Sequence, residues 1–95
     1  MWKIKLHPKA KKELLDLDPK ARKQISEVIR KLEHFPNTPL DIKVLKGLSY
    51  HKYKFLRVRI GRYRVVFVPI WSERILLIIA VGSRGSVYKD LRKRV

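Results

Sequence analysis

The pattern of apolar and polar positions in the first third of the chain predicts one strand and two helices. Residues 2–6, WKIKL, alternate between apolar and basic side chains, which is typical of a β-strand. Apolar residues at helical spacing then predict a short helix over about 8–17 and a longer one over about 19–34. Both helices begin near a proline, a residue suited to the first helical turn. The short connection between them predicts an antiparallel helical hairpin.

Strand-like patterns dominate the second half of the chain and predict an antiparallel sheet. The segment 34–41 contains two prolines and an asparagine, and we expect it to be a loop. Residues 42–48 form a candidate edge strand that ends at Gly47. Three longer apolar runs then predict a meander, with strands over 52–60, 62–71 and 74–82. Because Pro69 cannot donate a backbone hydrogen bond, we expect the middle strand to stop near Val68.

Together these elements predict an α+β fold in a single domain over residues 1–95. An N-terminal strand precedes a helical hairpin and then three or four antiparallel strands, with both helices packed on one face of the sheet. The last residues predict a short helical turn that Ser86 caps. A length of 95 residues suits one domain. The other face of the sheet is expected to be free for binding.

The run FLRVRIGRYRVV, residues 55–66, places four arginines on two neighbouring predicted strands. Alternation puts the apolar set on the face that meets the helices: Leu56, Val58 and Ile60. Arg57 and Arg59 then lie on the open face, and Arg64 joins them if the two strands pair in register. Three neighbouring guanidinium groups repel one another. Their arrangement predicts a phosphate site, because arginine offers a planar fork of donors and stays charged.

The charge of the chain is strongly positive and unevenly distributed. Lys and Arg number 24, and Asp and Glu number 8, for a formal net charge of +16. Residues 49–95 hold 12 basic and 2 acidic side chains, against 12 and 6 in residues 1–48. Charge crowding of this size opposes folding unless a polyanion neutralises it. Nucleic acid is therefore the leading candidate partner.

The composition also disfavours several classes of function. There are no cysteines, which excludes disulfides and thiol nucleophiles and agrees with a reducing cytoplasm. The longest apolar run, ILLIIAV at 75–81, is far shorter than the roughly 20 residues of a membrane-spanning helix. The three histidines lie far apart and lack the spacing of metal ligands. We therefore expect a soluble cytoplasmic protein with no membrane partner, no metal and no cofactor.

Two motifs and the order of the elements resemble the RelE/ParE toxin superfamily. LRVRIGRYRVVF followed by IIAVGSRGSVYKDL is similar to that family's arginine-rich hairpin, R-x-G-x-Y-R, and its strand ending in V-G-x-R before a Tyr or His. LKGLSYHKYKFL also matches the L-x-G segment that leads into the family's meander. The likeness spans nearly the whole chain and implies a RelE-like fold.

The resemblance also implies a set of functional residues. Arg57, Arg64, Arg84 and Tyr88 occupy the arginine and tyrosine positions of RelE-type toxins, and Lys54 is a further catalytic candidate. Other basic residues are candidates for RNA binding: Arg59, Arg62, Lys52, Lys89 and Arg92. Tyr88 also has a structural alternative, in which its ring packs the tail onto the sheet.

The sequence departs from the family pattern in two places. Phe55 occupies the outermost basic position of the arginine-rich strand, and Lys52 and Lys54 lie one place out of phase with it unless a bulge shifts Lys54. The segment between Arg84 and Tyr88 is shorter than in the best-known RelE proteins. Both differences bear on which group takes the proton in catalysis, Tyr88 or Lys54.

The activity that the resemblance implies depends on the branch of the superfamily. RelE-type members are ribosome-dependent mRNA endonucleases that a cognate antitoxin neutralises, whereas ParE-type members poison DNA gyrase. The RelE branch implies a metal-independent endoribonuclease that cleaves mRNA in the ribosomal A site. It also implies an acidic RelB-like antitoxin and a toxin–antitoxin hetero-oligomer. Two alternatives stay open, a ParE-like gyrase inhibitor and a basic nucleic-acid-binding module without catalysis.

Overall fold

A five-stranded sheet with two helices on one face forms most of the described structure. The structure, a computed structural model, describes residues 1–50, 52–89 and 91–94, and the side chains of 48–50 and 92 are outside that description. The helices are α1 (Pro8–Leu15) and α2 (Pro19–Lys31). The strands are β1 (Lys3–Leu6), β2 (Asp41–Tyr50), β3 (Tyr53–Ile60), β4 (Tyr63–Ile70) and β5 (Ile75–Ser83). One 3₁₀ turn follows α2 at Leu32–His34, and the tail contains two more at Ser86–Tyr88 and Leu91–Arg94.

The strands lie in the order β1-β5-β4-β3-β2, and the predicted α+β fold is confirmed. Strands β2 to β5 form the antiparallel meander, with β2 at one edge as expected. Strand β1 pairs in parallel with β5 at the other edge, so the sheet is mixed. The helical hairpin connects β1 to β2 and therefore carries the chain from one edge of the sheet to the other.

Both helices begin with a side-chain cap followed by a proline. In α2, the Asp18 carboxylate accepts a hydrogen bond from the Ala21 N–H at 3.0 Å, and Pro19 occupies the first helical position. This arrangement satisfies a backbone donor that a helix start otherwise leaves unpaired. In α1 the same role falls to His7, whose Nδ1 accepts from the Lys9 N–H at 3.1 Å. The starts predicted from the prolines are confirmed.

The larger apolar core lies between the helices and the sheet. The helical segments contribute Ala10, Ile25, Val28, Ile29 and Leu32. The sheet contributes Leu56, Val58, Ile60, Val65, Phe67, Leu76, Ile78 and Val81. The prediction that the apolar residues of β3 face the helices is therefore confirmed. Burying each large apolar side chain stabilises the fold by about 1.5–3 kcal/mol.

The opposite face of the sheet is not wholly free, and the prediction that it is open was wrong in this respect. A second buried cluster lies there, and the tail covers it. Its members are Phe55, Val66, Val68, Ile79, Ala80, Val87 and Leu91. The middle of β4 is buried on both faces. An unbroken apolar run such as VVFV is typical of a strand with a covered surface on each side.

The tail forms helical turns, as expected, but Ser86 does not cap them. Ser86 is the first residue of its 3₁₀ turn, and no side chain caps that turn. Its hydroxyl instead donates to the Ser83 carbonyl at 3.2 Å. Gly85, with φ of +92°, precedes the turn in a conformation that favours glycine. The backbone conformation of Gly85 therefore sets the direction of the tail.

Strand β4 continues through Pro69 to Ile70, so the prediction that it ends near Val68 was wrong. Pro69 pairs with Leu76 of β5, whereas the pairing of β4 with β3 stops at Phe67 and Leu56. Beyond that point β4 has a neighbouring strand on one side only. A proline is tolerated there because no described strand lies on that side of β4 to accept a hydrogen bond from its backbone nitrogen.

A charged pair covers the part of the β5 edge that β1 does not reach. Strand β1 pairs with residues 75–78 only. Further along, the Val81 N–H donates to the Glu13 carboxylate at 3.2 Å, and Arg94 donates to the Ile79 carbonyl at 2.9 Å. Arg94 also binds Glu13 directly at 2.7 Å. The pair satisfies exposed groups that would otherwise offer a pairing edge to another chain.

The His7 cap predicts a pH dependence of stability. Burial lowers the pKa of His7 below its usual value of 6.5, and the nearby Arg94 and Lys9 lower it further. The unfolded chain therefore binds a proton more readily than the folded one below about pH 6.5, so stability is lost as pH falls. We expect the melting temperature to fall more steeply from about pH 7.5 to about pH 5 in the wild type than in His7→Asn, which caps without titrating. Parallel curves would contradict this expectation.

Candidate functional site

The turn between β3 and β4 gathers arginines from three parts of the chain. Gly61 forms this turn with φ of +58°, a left-handed conformation that glycine adopts without steric cost. Arg59 precedes it, while Arg62 and Arg64 follow it. The Arg84 N–H donates to the Arg62 carbonyl at 3.0 Å, which brings the end of β5 beside the same turn. We call Arg59, Arg62, Arg64 and Arg84 the arginine cluster.

Arg64 is the charged residue that the fold holds most firmly. It is 7% exposed, and it is the one buried charged residue among those described. Its Nη1 donates to the Gly61 carbonyl at 2.9 Å and to the Tyr63 carbonyl at 3.0 Å. Of the five N–H donors of a guanidinium group, three remain for a ligand. The turn therefore orients Arg64 before any anion binds.

The cluster carries more positive charge than the neighbouring carboxylate of Asp41, which pairs with Arg57, can balance. Arg59 lies directly across from Arg64 in the register of β3 and β4. Arg59, Arg62 and Arg84 are exposed. Within the described part of the chain, none of the four guanidinium groups pairs with a carboxylate. Such an arrangement repels itself and attracts an anion that can bind several forks at once.

Arg62 is oriented by the residue that follows it. Its Nη2 donates to the Tyr63 hydroxyl at 3.0 Å, and its guanidinium carbon lies 5.1 Å from the centre of the Tyr63 ring. The hydrogen bond to Tyr63 raises the pKa of Arg62 and so favours its charged form. Sequence reasoning did not predict this pair, although adjacent Arg and Tyr residues at a turn are its signal.

Tyr88 belongs to the tail turn that packs on β4 and β5. Gly82 is the register partner of Arg64 on β5, and a Cβ atom at Gly82 would lie 3.5 Å from the Val87 side chain. Val87 therefore packs directly over Gly82, and Tyr88 is the next residue. Tyr88 is half-buried and packs against the second apolar cluster, as its structural alternative predicts. Its catalytic assignment stays a prediction.

Arg57 lies on the same face but in a different electrostatic setting. Its Nη1 is 3.3 Å from the Asp41 carboxylate and donates to the Asp41 carbonyl at 3.0 Å. Asp41 begins β2 and is the register partner of Arg59. Sequence reasoning did not predict this contact, because the pairing register of an edge strand decides it. The remaining donors of Arg57 can still bind a phosphate, but the Asp41 carboxylate already balances part of its charge.

The structure places the remaining predicted residues apart from the cluster or outside its description. Lys54 shares the helix side of β3 with Leu56, because β3 alternates regularly from Tyr53 onward. The register irregularity lies in β2, between Val44 and Ser49, so it does not shift Lys54. Lys52 is exposed at the same end of the sheet. Lys89 is exposed beside Tyr88, and the side chain of Arg92 lies outside the described residues.

Neither a metal site nor a membrane segment is found in the ranges that the structure describes. No three His, Asp or Glu side chains there lie close enough together to hold a metal ion. None of the helices in these ranges has the length and apolarity to cross a membrane.

Comparison with known proteins identifies the family. Residues 4–88 match the family model described as the ParE toxin of the type II toxin-antitoxin system, parDE. The chain belongs to this toxin family. A relative from Methanocaldococcus jannaschii that carries the name RelE1 is 35% identical over 91 residues, which are 94% of this chain and 97% of the relative. Within the superfamily the chain is therefore a RelE-like toxin.

Solved structures of RelE proteins share the fold of this RelE-like toxin. The RelE-RelB complex from Pyrococcus horikoshii has a toxin chain with a TM-score of 0.71 and 26% identity, covering 88% of this chain and 96% of that chain. The RelB-RelE complex from Methanococcus jannaschii gives a TM-score of 0.68 and 28% identity, covering 88% and 94%. The predicted RelE-like fold is confirmed.

Proposed function

We propose that this RelE-like toxin cleaves mRNA in the A site of the ribosome, in the cytoplasm, and so inhibits translation. The arginine cluster carries the proposal. It offers exposed guanidinium groups beside one buried and pre-oriented arginine, and none of the four forms an ion pair with a described residue. An RNA phosphate supplies the missing negative charge.

The reaction that fits these groups is attack by the neighbouring 2′-hydroxyl. The 2′-oxygen loses its proton to a base and forms a bond to phosphorus, and the bond from phosphorus to the 5′-oxygen then breaks. The leaving 5′-oxygen takes up a proton, which gives a 2′,3′-cyclic phosphate and a 5′-hydroxyl. Negative charge builds up on the phosphoryl oxygens in the transition state, where Arg64 and Arg84 can stabilise it. No metal is needed for this assignment.

The position of Lys54 favours Tyr88 as the group that orients or deprotonates the 2′-hydroxyl. Lys54 lies on the helix side of β3, whereas Tyr88 follows the residue that packs over Gly82, beside Arg64. A phenol is a weak base near neutral pH. Dependence on the ribosome then has a physical reason, because ribosomal RNA can hold the mRNA in the geometry of attack and so compensate for the weak base.

The proposal is tested by primer extension on an mRNA translated in a purified system, with naked RNA in parallel. We expect cuts at A-site codons that require both the toxin and the ribosome. Tyr88→Phe should slow cleavage by about 100-fold or more if the phenol takes part in proton transfer. Full cleavage by that variant would leave Tyr88 with its packing role alone.

Two other results would replace the proposal. Salt-sensitive RNA binding without cuts on the ribosome would indicate a basic binding module. A stable complex with DNA gyrase and stalled replication, again without cuts, would indicate the ParE-like activity. The measurement decides between these activities, because the family model is described as the ParE toxin, whereas the relative from Methanocaldococcus jannaschii carries the name RelE1.

We further propose that a RelB-like antitoxin neutralises this toxin in a hetero-oligomer. The solved complexes from P. horikoshii and M. jannaschii each contain RelE with RelB. A net charge of +16 favours an acidic partner. We expect the affinity for the purified cognate antitoxin to fall by at least about tenfold as ionic strength rises from about 0.05 M to about 0.5 M. Equal affinity at the two ionic strengths would contradict binding driven by charge complementarity.

A further inference from the structure

A cleft with an aromatic wall lies at the other end of the sheet from the arginine cluster. Its volume is about 560 Å³, and the described residues that line it include the aromatic side chains of Phe35, Tyr53 and Trp71. It opens where β3 begins and β4 ends, mainly on the helix side of the sheet. We call it the Trp71 cleft. Nothing in the proposed cleavage reaction uses it.

Trp71 presents a rigid and exposed ring to this cleft. Trp71 is 59% exposed although its side chain is large and apolar. The ring packs edge-on against Trp2, with 4.8 Å between centroids, and lies 6.2 Å from Phe35. Trp2 is itself fixed, because its indole N–H donates to the Phe35 carbonyl at 2.7 Å. A ring held in this way loses little freedom when a flat ligand stacks on it.

Two lysines supply positive charge to the same cleft. Lys52 and Lys54 line it, both are exposed, and no carboxylate is among the described lining residues. Neither lysine forms an ion pair within the described part of the chain. A lysine ammonium group binds phosphate as a point charge. The cleft therefore combines a stacking surface with two sites for phosphate.

We propose that the Trp71 cleft binds single-stranded RNA, with one base stacked on Trp71 and the adjoining phosphates on Lys52 and Lys54. Aromatic stacking beside cations is how proteins bind single strands without reading their sequence. The volume falls within the range of sites for small molecules, so it suits a single nucleotide unit. Duplex RNA is excluded because its bases are already stacked and paired.

This inference rests on the proposed function, because it takes RNA as the substrate, and it adds a second contact to that substrate. Lys54 and Arg59 are five residues apart on β3, or roughly 17 Å along the strand. They lie on opposite faces of the sheet, so an RNA strand that contacts both must pass around the sheet. A strand of RNA that contacts both sites is held at two points. The cleft would therefore lengthen the residence of the RNA without taking part in bond cleavage.

The test is a fluorescence titration of the full chain with a 2′-O-methyl RNA of about eight nucleotides, a length within the usual range for single-strand sites. This probe lacks the 2′-hydroxyl that attacks, so binding is measured without cleavage. We expect it to quench tryptophan emission, and Trp71→Ala to weaken binding by about 5- to 100-fold. Trp71→Phe should retain most of the affinity. Leu15→Ala is the matched control, because Leu15 is 55% exposed outside the cleft, and it should change nothing.

Salt dependence tests the lysines separately. The double variant Lys52→Ala/Lys54→Ala should flatten the slope of log affinity against log salt by about 1.4, or 0.7 for each lost phosphate contact on a single strand. This variant leaves the aromatic contacts of Trp71 in place. If melting curves show that Trp71→Ala destabilises the fold, the double lysine variant is the one that tests RNA binding at the cleft. An unchanged slope in the double variant would overturn the proposal.

Two further results would overturn the inference. Equal RNA affinity in the wild type and a folded Trp71→Ala variant would remove Trp71 from RNA binding. A response of Trp71 to a glutamate-rich amphipathic peptide, but not to the RNA probe, would make the cleft a protein-docking site. The proposed function can fail independently of the cleft. If the toxin does not cleave mRNA on the ribosome but still binds the probe through Trp71, the nuclease proposal is refuted. The cleft then remains an RNA-binding site.

Discussion

Replacing Arg64 by alanine is expected to slow cleavage of ribosome-bound mRNA by about 100- to 1,000-fold, the usual cost of removing one donor that stabilises charge in a transition state. Arg64 is held by the Gly61 and Tyr63 carbonyls, so it needs little reorientation when charge develops on the phosphoryl oxygens. The same change should lower the free energy of unfolding by about 1–3 kcal/mol, because two hydrogen bonds from a charged donor are lost. Single-turnover kinetics and urea unfolding measure the two effects.

Two variants separate the charge of Arg64 from its geometry and position. Arg64→Lys keeps the charge but loses the planar fork, so its rate should lie between those of wild type and alanine. Arg59→Ala removes an arginine directly across from Arg64 that makes no hydrogen bond to the described residues. It should leave stability unchanged and slow cleavage by less than about tenfold, because an exposed arginine contributes mainly to binding. If both alanine variants slow cleavage equally, the buried position of Arg64 is not what makes it effective.

The strands and their faces could be predicted because the information is local. Alternation along β3 placed Leu56, Val58 and Ile60 against the helices, and the structure buries all three there. The same alternation put Arg57 and Arg59 on the opposite face. Side-chain direction along a strand depends only on the backbone period, so no knowledge of neighbouring strands was needed.

The electrostatics of the site could not be predicted, because they depend on register. The sequence pattern predicts that Arg57 and Arg64 lie in the same basic strand pair, and it does not distinguish their surroundings. The structure gives Arg57 the Asp41 carboxylate and gives Arg64 two carbonyls of its own turn. The first contact needs the pairing of β2 with β3, which comes from residues far apart in the chain. The second needs the conformation of the turn at Gly61.

The covered second face and the continuation through Pro69 share one cause. The prediction for β4 assumed a neighbouring strand along each edge of the whole strand and solvent on one face of the sheet. Instead, the pairing of β3 with β4 ends before Pro69, and the tail covers the face that was expected to be open. Both departures result from how neighbouring segments end and fold back. Such long-range packing overrides a preference read from one segment.

Replacing Phe67 by alanine is expected to lower the free energy of unfolding by about 3–5 kcal/mol. Phe67 lies on β4, the central strand, and its residue is 0% exposed. Its ring packs edge-on against Phe35 at 5.5 Å, so the variant loses an aromatic pair as well as buried area. A domain of this size has a total stability of about 5–15 kcal/mol. The melting temperature should therefore fall by at least about 12 °C.

Val44→Ala is the matched control, because Val44 is 52% exposed on β2, and it should change stability by less than about 0.5 kcal/mol. Phe67→Leu should cost less than alanine, since leucine refills part of the cavity. Phe35 contacts Phe67, Trp2 and Trp71, so the cavity in Phe67→Ala lies beside the support of the Trp71 cleft. A loss below about 1 kcal/mol would mean that Phe35 and its neighbours collapse into the space. The aromatic wall would then be a mobile surface rather than the rigid platform on which RNA stacking depends.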